Sequence, residues 1–229
     1  MKYNIRVNEV KSGDSQVRGF ATVTFGDSIL VRNIAIIERR NSGSLFVSMP
    51  SYRTNEVTEK GEPIYRDICN PITKEFYEEL TGNILKAYEN RKSLGKDGLD
   101  IGEGGPEDLN FSVKVTPVDR EESSLRGISR IFLNDSFVIG NVRLIEGNKG
   151  LFVSMPDYRT EKYRDGKPVY REIVFPVTKE FRERLYGALE KEYAAEREKT
   201  QEKGDPEPEK KQEKTATRKA KEKETKVAR

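Results

Sequence analysis

Tyr3, Ile5 and Val7 alternate with polar residues, the period-two mark of a strand with one buried face. Val17, Gly19, Ala21, Val23 and Phe25 continue that phase against Arg18, Thr22 and Thr24, and Gly26-Asp27 supplies turn chemistry. Ile29 to Ile37 is β-branched and apolar, a third strand. Leu45 to Met49 makes a fourth, stopped by Pro50, and Ile64 to Cys69 a fifth, stopped by Pro71. Short turns link the first four, so the sheet is expected to be mainly antiparallel. The period then lengthens. Phe76, Leu80, Ile84 and Tyr88 recur every four residues, one apolar stripe of a helix that packs on the sheet. Thr73 can cap its start and Glu75 sits in its first turn.

The whole pattern occurs twice. LFVSMPSYRT begins at Leu45 and LFVSMPDYRT at Leu151, with nine of ten positions identical. Upstream, Arg18-Gly19 matches Arg126-Gly127, and Asn33 matches Asn141. Downstream, Thr73-Lys74-Glu75-Phe76 matches Thr178-Lys179-Glu180-Phe181. Phe181, Leu185, Leu189 and Tyr193 repeat the helical stripe. Two copies at so long a period are two small domains rather than a solenoid. The fold class is therefore α+β: two tandem repeats, each a mainly antiparallel five-stranded sheet followed by a C-terminal helix. Copy 1 is placed at 1–90, a Gly-rich flexible linker at 91–109, copy 2 at 110–195 and a charged tail, expected to be disordered or transiently helical, at 196–229.

Composition adds limits. Of 229 residues, 35% are charged and only 34% hydrophobic, so part of the chain lies outside any core. There is no His and one Cys, which excludes disulfide frameworks, Cys/His zinc sites and His-based triads within the chain. The start lacks the apolar run of a signal peptide, and no apolar run is of membrane-spanning length, so the expected compartment is the cytoplasm. The net charge of +3 sits entirely beyond residue 193, and Lys210 to Arg229 holds nine basic and three acidic residues. Such a tail reads either as a solubilising extension or as an arm for an anionic polymer.

The candidate chemistry lies after the Met-Pro turns. Arg53 and Arg159 follow a Tyr there, and Arg66 and Arg171 follow a Tyr in the next strand. Guanidinium groups bind phosphate bidentately and tyrosine faces stack on bases. Tyr52/Arg53 with Tyr65/Arg66, and Tyr158/Arg159 with Tyr170/Arg171, could thus form one basic, aromatic-edged face. The competing reading pairs each Arg with an acidic neighbour such as Asp67 or Glu172. Cys69 aligns with Val174 and reads as packed rather than reactive. The recurring carboxylates Asp27/Asp135, Glu38/Glu146 and Glu75/Glu180 form no evident cluster, so no enzyme activity, cofactor or metal is expected.

The LFVSMP-x-YRT motif, followed by YRDICNP in copy 1 and YREIVFP in copy 2, resembles the SpoVG family of septation and sporulation regulators. Copy 2 is the nearer match through Val142 to Gly150, whereas Glu38 to Ser44 is longer in copy 1. The resemblance implies cytoplasmic proteins that dimerise through their sheets and bind DNA and RNA. It implies a pseudo-dimer of the two copies within one chain or a homodimer, with DNA or RNA as partner and no membrane. It also shifts Lys74, Lys179, Arg182 and Arg184 from a solvated helix face toward phosphate contact, with the second helix the stronger binder. The alternative is a protein-protein interaction module in septation that binds no nucleic acid.

Overall fold

The computed structural model describes residues 1–10, 15–95, 98–119 and 122–202. Copy 1 comprises β1 (Tyr3–Glu9), β2 (Val17–Phe25), β3 (Ile29–Glu38), β4 (Leu45–Ser48), β5 (Ser51–Val57), β6 (Pro63–Asp67), β7 (Cys69–Pro71) and α1 (Lys74–Leu94). β8 (Gly98–Ile101) and a 3-10 turn at Pro106–Asp108 follow. Copy 2 comprises β9 (Phe111–Pro117), β10 (Leu125–Leu133), β11 (Phe137–Gly147), β12 (Gly150–Ser154), β13 (Asp157–Arg164), β14 (Lys167–Glu172), β15 (Val174–Pro176) and α2 (Lys179–Glu202). The α+β class and the antiparallel pairing are as the alternation predicts.

The two copies are laced together by exchanged strands. β15 of copy 2 pairs with Ile29–Val31 at the start of β3, and β7 of copy 1 pairs with Phe137–Ile139 at the start of β11. Each receiving strand divides its outer edge: β4 takes Ala35–Glu38 of β3, and β12 takes Arg143–Gly147 of β11. Asn33 (φ 65°) and Asn141 (φ 55°) stand at the break between the two halves. Asn tolerates this left-handed backbone better than a β-branched residue does, which accounts for its presence at both positions. Beyond the exchanged strands, Ile72 N–H donates to the Ser136 carbonyl at 2.9 Å and Val177 N–H to the Ser28 carbonyl at 2.8 Å.

The fifth strand expected at Ile64–Cys69 is two strands. β6 pairs with β5 as a projecting hairpin, the chain bends at buried Ile68, and β7 then leaves for the other copy. Residues 51–57, where the sequence shows no strand alternation, form the other half of that hairpin. Within the glycine-rich segment between the copies, β8 adds antiparallel to β1, with Tyr3 opposite Ile101 and Ile5 opposite Leu99. Copy 1 thus has a sheet ordered β15-β3-β2-β1-β8, with β4 also on β3, while among the described residues the sheet of copy 2 ends at β9. α2 continues to Glu202, and the rest of the charged tail lies outside the described residues.

The core runs through the junction. Phe25 and Phe137, both fully buried, have ring centroids 4.8 Å apart, and Phe76 packs edge-on to Phe137 at 6.4 Å. The helical stripes lie on the sheets as their spacing predicts, with Leu80, Ile84, Leu185 and Leu189 fully buried. Thr73 and Thr178 cap the helices, each accepting from the backbone N–H three residues on at 3.2 Å. The repeated Arg-Gly has a packing cause. A Cβ on Gly19 would lie 2.9 Å from the Asn8 carbonyl oxygen and 3.4 Å from the Tyr88 ring. Gly127 stands in the same relation to Tyr193.

Candidate nucleic-acid interface

Pro50 and Pro156 have no N–H to continue a ladder, so after each buried Met-Pro turn the chain quits its own sheet and runs out as an arm. The arms are the hairpins β5–β6 and β13–β14. Tyr52 stands opposite Arg66 and Arg53 opposite Tyr65; in copy 2, Tyr158 stands opposite Arg171 and Arg159 opposite Tyr170. Residues directly opposite share a face, while neighbours along a strand point to opposite faces. The single face suggested by Tyr52/Arg53 and Tyr65/Arg66 is thus two faces, each with one Tyr and one Arg. The Thr of the repeated YRT has a structural role: Thr54 and Thr160 donate across the arm to the carbonyls of Ile64 and Val169, at 3.0 and 2.8 Å.

The cations differ in how far they are engaged. Arg66 pairs with Glu56 at 2.9 Å, not with Asp67, and both side chains are more than half exposed. Such a pair contributes at most ~1 kcal/mol and yields readily to a competing anion. The Arg159 guanidinium lies over the Tyr163 ring at 5.5 Å and donates to its hydroxyl. Arg53 and Arg171 are exposed and form no ion pair among the described residues. Tyr65 and Tyr170 are 60% and 57% exposed, so their ring faces are open to solvent. The first arm carries three basic and four acidic side chains, the second five and four.

The helix residues also have local partners. Lys74 and Lys179 sit 3.7 and 3.6 Å from Glu78 and Glu183 one turn on. Arg182 donates to the Pro176 carbonyl at 3.3 Å. Arg184 spreads over the rings of Phe111 and Phe181 at 5.4 and 5.3 Å. At the equivalent place in copy 1, the Tyr3 hydroxyl donates to Glu79 at 2.8 Å and accepts from Asn83 at 2.9 Å. Arg184 therefore replaces a hydrogen-bonded Tyr–Glu contact with a cation over a Phe ring. Burial pushes the Tyr3 hydroxyl well above the ordinary tyrosine range, and the Glu79 charge adds to that rise.

Among the described residues, no three acidic or Cys side chains stand together as a metal site. Asp27 is held by Lys2 at 2.7 Å and Glu38 by Arg18 at 2.5 Å. Cys69 is fully buried in the exchanged strand, where burial holds its thiol protonated. The sequence pattern did not reveal the outward face of the copy 2 sheet. Lys114 stands opposite Arg130 there, and neither has an acidic partner among the described residues. Exposed Ile128 and Phe152 lie on the same sheet. Ile128, apolar on the polar phase of β10, was the available signal.

The SpoVG family model matches residues 1–90 and again 110–195. The chain belongs to the SpoVG family. It is 37% identical over 86 residues to a protein of Acholeplasma laidlawii named as a septation protein SpoVG, a match that takes in 38% of this chain and 82% of the relative. A protein of the same name from Treponema denticola is 39% identical over 85 residues, 37% of this chain and 82% of that one. One from Borrelia hermsii is 36% identical over 86 residues, 37% and 84% of the respective chains. Each of these matches spans a single copy's length, so the tandem arrangement is a feature of this SpoVG chain that the three alignments do not share. Among the described residues no helix is long and apolar enough to cross a membrane.

Proposed function

We propose that this chain is a cytoplasmic DNA- or RNA-binding regulator of the SpoVG type, linked to cell septation, sporulation or gene regulation. The observation that carries the reading is the pair of projecting arms, each offering an Arg and a Tyr on both of its faces. Arg53 and Arg171 neutralise phosphates, Arg66 and Arg159 exchange their weak internal partners for phosphate, and Tyr65 and Tyr170 stack on unpaired bases. Interactions of this kind read the backbone more than the sequence. The second arm, richer in cations, is the stronger binder.

The test titrates fluorescent single-stranded RNA and duplex DNA with the full chain at several salt concentrations. The same series is run with Arg53, Arg66, Arg159 and Arg171 all changed to Ala, and with the chain ended at Glu202. The quadruple variant is expected to flatten the log–log salt dependence by about 0.7–0.9 for each phosphate that is no longer neutralised. Binding that survives the quadruple change and vanishes with the tail moves the interface to residues 203–229. No binding by any form leaves a protein-interaction role in septation.

A further inference from the structure

The duplication supplies its own control for one feature, the outer edge of each sheet. In copy 1 that edge, β1, is covered by β8. In copy 2 the equivalent strand, β9, pairs among the described residues with β10 alone and ends the sheet. The core-facing residues record the difference. Tyr3 and Ile5 are 1% and 0% exposed, whereas their counterparts Phe111 and Val113 are only partly buried. An uncovered edge also leaves backbone donors and acceptors free to pair with another chain.

We propose that the edge of β9 is a docking site for an extended peptide from a partner protein, with a small–apolar–acidic–apolar pattern, laid antiparallel as β8 lies on β1. β8 shows what such an edge takes. Gly98 lies opposite Arg6, Leu99 opposite Ile5, Asp100 opposite Asn4 and Ile101 opposite Tyr3. Asn4 donates to the Asp100 carboxylate at 2.5 Å. On β9 the matching positions are Lys114, Val113, Ser112 and Phe111. The two apolar side chains of the incoming strand complete the cover of Val113 and Phe111. Its acidic side chain faces Ser112, next to Lys114.

Charge selects this occupant. Lys114 and Arg130 face each other across the ladder, a like-charge juxtaposition that is unfavourable until an anion joins it. A second copy paired through its own β9 would bring another Lys114 to the same edge and add to the repulsion. Residues 203–206, Lys-Gly-Asp-Pro, stand in the sequence of copy 2 where Gly98–Ile101 stand in copy 1, 105 residues on. They lack both apolar residues and end in a proline, which suits a ladder poorly.

The probe is a fluorescein-labelled synthetic peptide with the sequence of residues 95–103, titrated into the full chain. Short augmenting strands bind weakly, so a Kd of about 0.1–1 mM is expected. Amide hydrogen exchange at residues 111–117 should slow at least about tenfold on saturation. Lys114→Glu, an exposed change, should weaken binding about fivefold or more, and a peptide with the Asp changed to Lys should recover part of that loss. Three results overturn the proposal: no binding at 111–117, protection moving to Tyr3–Glu9 instead, or binding only once residues 203–229 are removed. Self-association that strengthens with concentration and is insensitive to the peptide overturns it in favour of a second copy. None of these readouts depends on RNA or DNA, so the arms and this edge stand or fall separately.

Discussion

Phe137 belongs to copy 2, yet its ring is wedged against Phe25 and Phe76 of copy 1, at 4.8 and 6.4 Å. If the exchanged strands make the copies one cooperative unit, Phe137→Ala must weaken both at once. The ring is fully buried, so its removal should cost about 3–5 kcal/mol. With a urea m-value of about 2–3 kcal/mol/M, the unfolding midpoint falls by about 1–2.5 M. The assay is urea unfolding followed by circular dichroism, with hydrogen exchange reading α1 and α2 separately. Both helices should lose protection together in a single transition. Adding Phe25→Ala should cost less than it does alone, by about 0.5–1.5 kcal/mol, because the ring pair is already gone. Two transitions, with α1 unmoved, would show that the copies are independent domains and refute the reasoning.

Two further outcomes follow from the exchanged strands. Burial raises the Cys69 thiol pKa above its unfolded value, so that group's contribution is complete below about pH 8.5 and is lost as pH rises beyond it, at about 1.4 kcal/mol per unit. Cys69→Val, which installs the residue found at position 174, should keep neutral-pH stability within about 1.5 kcal/mol and flatten the alkaline decline in urea melts from pH 7 to 10.5; an unchanged slope would place the alkaline loss elsewhere. At Asn141, where φ is 55°, Asn141→Gly should be tolerated and Asn141→Val should lower stability by about 1–2 kcal/mol more; equal melting of the two variants would remove the backbone from the account.

What was legible in the chain was whatever has a buried face. The period-two runs of β1 and β2 and the four-residue stripes of α1 and α2 announce themselves because burial imposes a period, and Thr73 because the orphan N–H groups of a helix start call for a side-chain acceptor. β5 and β13 carry no such signal, since an arm with most of both faces in water needs no alternation. β7 and β15 are three residues each, too short for a period, and nothing local to a strand names the partner it will pair with. β8 left a faint trace, Leu99 and Ile101 around Asp100, which the surrounding glycines masked. The Arg and Tyr residues of each arm do lie near one another, as their spacing suggests. Their division between faces follows from cross-strand register, which adjacency in sequence does not reveal.

The exchange also imposes an order on synthesis. The edge of β3 at Ile29–Val31 is completed only by Val174–Pro176, more than 140 residues later in the chain. At about 5–20 residues per second, a nascent copy 1 waits some 7–29 s with that edge open. During this interval another nascent chain can offer its own Cys69–Pro71, the counterpart of the missing strand. Ribosome spacing and translation rate thus influence whether a newly made molecule closes on itself or becomes entangled with its neighbour.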